Sequence, residues 1–228
     1  MIDPFNKEML LEKMQTMSVM ARVAFASSCA TRLFPTYECI QELDGTGDTV
    51  GLRAALNFSW NSVLANSYSE IDCKNQLQVV GKLVDASYTS ENTFRLYAQD
   101  TTAIVAYSLR ALDSGGVQEP VWAAQRIYEA VGRFIVTSQK LSLKGPKGLK
   151  GQELASLINN HPLMQLEFSR QFRDIEELSK GHTAEAIEIM MNRSEAEPAL
   201  PFDLPIPSNL PSLSLVQIML LTGNEYCM

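Results

Sequence analysis

Four carboxylates crowd one short stretch of the chain: Glu38, Glu42, Asp44 and Asp48 fall within eleven residues. Glu38 and Glu42 stand four apart, so a helix puts them on one face. Two carboxylates on one helix can be half of a di-metal centre or an acid–base pair. A metal-binding helical bundle draws its remaining ligands from Glu-x-x-His pairs on facing helices, and the chain contains no such pair. The four are therefore read as an acidic, partner-binding surface that steers a basic protein, with helix capping and solvation as the alternative.

The other chemistry-bearing residues are scattered. His161 precedes a proline and His182 follows a glycine, positions where histidine contacts helix ends. Cys29, Cys39, Cys73 and Cys227 form no Cys-x-x-Cys pair and have no histidine nearby. That excludes a Cys/His zinc site and fits reduced thiols in a cytosolic protein. Gly45-Thr46-Gly47 lacks the Gly-Lys-Ser/Thr that completes a phosphate loop, and the lysines between Gly145 and Gly151 have no hydroxyl residue after them. Asp100 stands in an otherwise nearly uncharged helix, Phe94 to Leu112. A buried carboxylate has a shifted pKa, so Asp100 is the best clue to an enzyme or ligand pocket between helices. No catalytic residue, metal ligand or cofactor is assigned.

The elements that must position these residues are helical. Asp3-Pro4 reads as a helix start, and Ser18 as the cap of a second helix; Pro35 should end that helix or begin the next. Asp48 or Thr49 caps the next, with Leu52, Leu56, Trp60, Val63 and Leu64 on its core stripe. Helices follow over 72–86, 94–112, 120–139, 152–159, 162–179 and 183–191. The helix over 120–139 pairs an apolar face with a mixed one carrying Trp122, Arg126, Glu129 and Arg133. In the helix over 162–179, Leu163, Leu166, Phe172, Ile175 and Leu178 point inward; Glu167, Arg170, Arg173, Asp174 and Glu177 point away. Residues 140–151 read as an exposed basic loop. Five of the ten prolines lie between Pro198 and Pro211, so the segment from about 195 is extended and apolar, lying on a surface groove.

The chain has 228 residues, 46% hydrophobic and 20% charged, with a net charge of −7. That is ample for a globular core. The acidity counts against a nucleic-acid or anionic-membrane partner. The longest uncharged apolar run, Leu213 to Leu221, is about half a membrane span. Residues 1–16 carry Asp3, Lys7, Glu8, Glu12 and Lys13 instead of a secretory apolar region. The expectation is a soluble, cytoplasmic protein.

The series Phe25 to Glu38 (FASSCATRLFPTYE), the acidic glycine loop and Leu52 to Trp60 (LRAALNFSW) resemble the bacterial YjaG-like family of uncharacterised proteins. Ala98-Gln99-Asp100 with AIVAYSLRAL, and His161-Pro162-Leu163-Met164 with Glu167 and Gln171, extend the resemblance over about residues 1–180. Thr31 stands where that pattern often has an acid. The resemblance implies an all-helical single domain and no established activity.

The expected architecture is an all-α domain over 1–194 and a Pro-rich arm over 195–228. The expected function is non-enzymatic: an immunity or inhibitor protein that occludes a cognate toxin with a basic surface. The arm, at Phe202 to Leu210, is a second contact candidate and a possible homodimer contact. The alternatives are an enzyme or ligand binder around Asp100, and a housekeeping protein with no toxin partner.

Overall fold

The computed structural model describes residues 5–45, 47–87, 93–139, 151–181 and 183–201. Asp3-Pro4, His182 and the arm from Phe202, with its expected dimer contact, lie outside the described residues. Nine helices occur among the described residues: α1 Lys7–Thr16, α2 Val19–Asp44, α3 Thr49–Ala65, α4 Glu70–Ser87, α5 Thr93–Ser114, α6 Gln118–Ser138, α7 Gly151–Asn160, α8 Pro162–Ser179 and α9 Ala184–Ala196. No strand occurs among those residues. The fold is a single all-α domain.

Local chemistry sets several helix starts. Ser18 Oγ accepts from the Ala21 amide at 3.1 Å, Asp48 Oδ1 from Gly51 at 2.8 Å, and Thr183 Oγ1 from Ala186 at 3.2 Å. The first helix among the described residues starts at Lys7, capped by Asn6. Pro35 does not end α2 but sits inside it. A proline removes one helical hydrogen bond, and here burial of the flanking turns outweighs that loss: Leu33 and Phe34 are fully buried and Tyr37 nearly so.

Helix α2 is the axis of the domain and packs against α3, α5, α6, α8 and α9. Its buried run of Ala24, Ala26, Ser27, Ser28, Cys29 and Ala30 lets those neighbours approach closely. Two side-chain bonds tie the inner layer. Trp60 Nε1 donates to Thr31 Oγ1 at 3.0 Å, and the Ser59 and Ser108 hydroxyls meet at 3.0 Å. At the other end, Phe5, Tyr128 and Phe168 stack with centroids 5.4 and 5.9 Å apart, joining the N-terminus to α6 and α8. Tyr128 also donates to Asn159 Oδ1 of α7 at 3.0 Å. No helix among the described residues is long and apolar enough to cross a membrane.

Phe168 is buried at one end of this stack, against Tyr128. Phe168→Ala is expected to cost about 3–5 kcal/mol. In urea titration it should lower the unfolding midpoint and leave the slope unchanged.

Candidate functional site

The acidic stretch forms the corner between α2 and α3, and its carboxylates diverge. Glu38 pairs with Arg53 Nη2 at 2.8 Å, and the Arg53 guanidinium lies 3.6 Å from the Phe34 ring centroid. Asp48 is the α3 cap, and its own amide donates to Tyr37 Oη at 3.1 Å. Gln41 braces the loop, donating to the Gly47 carbonyl and accepting from the Thr49 amide, both at 3.1 Å. Gly45 and Gly47 adopt φ of 64° and 107°, which favour glycine. Asp44 ends α2, and its side chain is outside the described residues. Glu42 is exposed. Beside it Leu43 is 63% exposed and Val50, across the corner, 81%. Among the described residues no group of three His, Cys, Asp or Glu is placed to hold a metal ion.

The charge chemistry of the molecule lies inside it. Arg32 on α2 is 1% exposed. Its Nη1 donates to Asp174 Oδ2 at 2.7 Å and its Nη2 to Glu167 Oε1 at 3.0 Å. Ser28 Oγ accepts from Arg32 at 3.2 Å and lies 2.9 Å from Asp174. Gln171 donates to Glu167 at 3.0 Å. Arg193 of α9 reaches Asp174 at 2.8 Å and Glu177 at 2.7 Å. These contacts correct the sequence reading of α8. Glu167 and Asp174 are 0% exposed, whereas Leu166, read as inward, is 46% exposed. The physical reason is Arg32, whose buried positive charge needs carboxylates close by. Glu167, Gln171 and Asp174 follow i, i+4, i+7 spacing, so one face of α8 supplies all three.

Burial pulls the Arg32 pKa down, but Glu167 and Asp174 more than offset this and hold it above the ordinary arginine value. Burial also pushes the neighbouring Cys29 thiol up to about 12, against the lowering effect of Arg32. Cys29 therefore stays a thiol at neutral pH and is a poor nucleophile. Cys29, Cys39 and Cys73 are free.

Asp100 belongs to a second buried network, between α5 and α6. Arg133 Nη1 donates to its Oδ2 at 2.7 Å, and Arg126 Nη1 approaches Oδ1 at 3.6 Å. Arg126 also pairs with Glu129 at 3.5 Å, and Gln125 donates to Glu129 Oε1 at 2.8 Å. The Arg133 guanidinium sits 5.3 Å from the Tyr97 ring centroid. The face of α6 read as mixed is thus turned inward at Glu129 and Arg133. Asp100 is buried, and its charge is met by arginine. His161 caps α8, its Nδ1 accepting from the Leu163 amide at 3.2 Å. It borders an open cleft of about 680 Å³ with Gln139, Glu153, Ser156 and Asn160.

Burial raises the Glu129 pKa, and Arg126 recovers only part of that shift. The folded state therefore holds the proton more tightly than the unfolded chain. The ionised form costs stability above the folded pKa, and the cost vanishes below the unfolded value of about 4.3. Glu129→Gln should flatten this loss, so its stability relative to the parent should rise as pH climbs from about 4 to 7. Thermal unfolding across that range measures the effect.

No curated protein matches this sequence. A solved structure of a DUF416 family protein from Shewanella baltica OS155 superposes with a TM-score of 0.68 at 18% identity. It covers 81% of this chain and 92% of that one, and at this identity it speaks for the fold alone. A family model described as a protein of unknown function, DUF416, matches residues 9–199. These findings overturn the resemblance to the YjaG-like family. Among the residues that carried it, Phe25 to Phe34 and much of Leu52 to Trp60 are buried scaffold, whose small and apolar types answer to packing. With the model spanning its helical domain from Met9 to Ala199, the chain belongs to the DUF416 family.

Proposed function

We propose that the chain is a non-catalytic protein-binding module that grips a basic partner at the α2–α3 corner. The partner class proposed is a toxin whose working surface the module occludes, as an immunity or inhibitor protein does in the cytoplasm. The observation that carries this reading is the exposure of Leu43 and Val50 on the two sides of the corner, 63% and 81%, with the exposed Glu42 next to Leu43 in the chain. Burying one such apolar side chain contributes about 1.5–3 kcal/mol. An apolar centre with an acidic rim fits a partner surface that has an apolar pocket ringed by lysine or arginine.

Rigidity favours the same corner. The Gln41 brace, the Asp48 cap and the Glu38–Arg53–Phe34 stack fix the backbone before any partner arrives. Less ordering is then lost on binding. The net charge of −7 adds long-range steering that weakens with salt.

The test is capture from the native host, followed by co-expression of the captured protein with this chain. The expected result is that the partner alone arrests growth and that co-expression restores it. Leu43→Ala with Val50→Ala should weaken binding by roughly 10–100-fold, and Glu42→Lys should slow association most at low salt. A partner that does not arrest growth contradicts the toxin reading. Unchanged affinity in the double variant contradicts the corner as the contact surface.

A further inference from the structure

Residues Glu197 to Leu200 follow α9 and lie against α2 and α8 without being helical. The Ala199 amide donates to the Arg32 carbonyl at 2.8 Å. Pro35 has no N–H to offer the Thr31 carbonyl, so this bond is made in the same proline-disturbed turn of α2. Arg170 Nη1 donates to the Pro198 carbonyl at 3.1 Å, and its Nε lies 3.2 Å from Glu197 Oε2. Arg173 Nη2 reaches the same carboxylate at 2.6 Å. Ala199 and Leu200 are 0% and 2% exposed.

These attachments are of two kinds. The apolar part is one alanine and one leucine. The polar part rests on a single backbone–backbone bond, on the Arg170 bond to the Pro198 carbonyl, and on pairs whose Glu197 and Arg173 ends reach solvent, where screening weakens them. The helices beneath are held differently, by ion pairs whose two ends are both 1% exposed, Arg32 with Glu167 and Arg32 with Asp174. A segment with few buried contacts on a well-buried base opens at lower free energy than the base unfolds.

We propose that Glu197–Leu200 is a releasable strap, which leaves its groove as a unit while the helices stay folded. Its release uncovers the Arg32 carbonyl and the Arg170 guanidinium together, one acceptor and one cation beside a leucine-sized pocket. The inference stands independently of the α2–α3 corner.

Native-state hydrogen exchange of the full chain by NMR, in denaturant below the unfolding transition, tests it. The Ala199 amide is expected to exchange about 100-fold or more faster than the amides of Leu109 and Val131, with little dependence on denaturant. Glu197→Gln should raise the Ala199 rate a few-fold, about fivefold at most, and leave Leu109 and Val131 unchanged. Leu200→Ala should raise it by roughly 30-fold or more. Exchange of Ala199 at the core rate, with the core's denaturant slope, overturns the proposal. Fast exchange that neither substitution accelerates also overturns it, since the strap contacts would then not be what protects the amide.

Discussion

A guanidinium keeps its proton at any pH a fold survives, so a helix that buries one must bring carboxylates to it. Arg32 imposes that condition on the central helix. It lies in the middle of α2, 1% exposed, and the condition is met by Glu167 and Asp174 from a single face of α8. The geometry of that demand fixes the register of α8 on α2. It then propagates outward, because Asp174 also takes Arg193 of α9 and Glu167 lies 3.9 Å from Arg170. The Asp100–Arg133 pair applies the same logic between α5 and α6. Buried pairs of this kind add little net stability over apolar replacements, but losing one partner is costly.

Much of this was legible in the sequence, and the failures share one cause. Helix class, the Ser18 and Asp48 caps and the apolar stripe from Leu52 to Val63 follow from local spacing, and the structure has them. Glu167 and Asp174 were misplaced because charged residues were assigned to solvent one helix at a time. The signal that finds them is non-local: Arg32 is the one charge in α2 between Val23 and Tyr37, and the i, i+4, i+7 series of Glu167, Gln171 and Asp174 is its match. Pro35 was misjudged for the same reason. Its local penalty is about 3 kcal/mol, and the buried turns on either side outweigh it. The family resemblance rested in large part on scaffold residues, which are constrained by packing and say little about kinship.

The division between interior and surface shapes the functional reading. The most chemically suggestive interior residues, Asp100 and Cys29, are committed to arginine and to burial. The corner between α2 and α3 differs in kind. There Glu38 and Asp48 stiffen the backbone, and Glu42, Leu43 and Val50 are left facing outward. The strap at Glu197–Leu200 links the two regimes, since its amide and its arginine contacts end on the turn and the network that hold α2.

The central claim is that Arg32 and Asp174 act as a coupled pair on which the packing of α2 and α8 depends. A double-mutant cycle on Arg32→Met and Asp174→Asn, read by chemical denaturation, measures that coupling directly. The account predicts that each single substitution costs about 3–5 kcal/mol, and that the double variant recovers about 2 kcal/mol relative to their sum. Additivity within about 0.5 kcal/mol would contradict it.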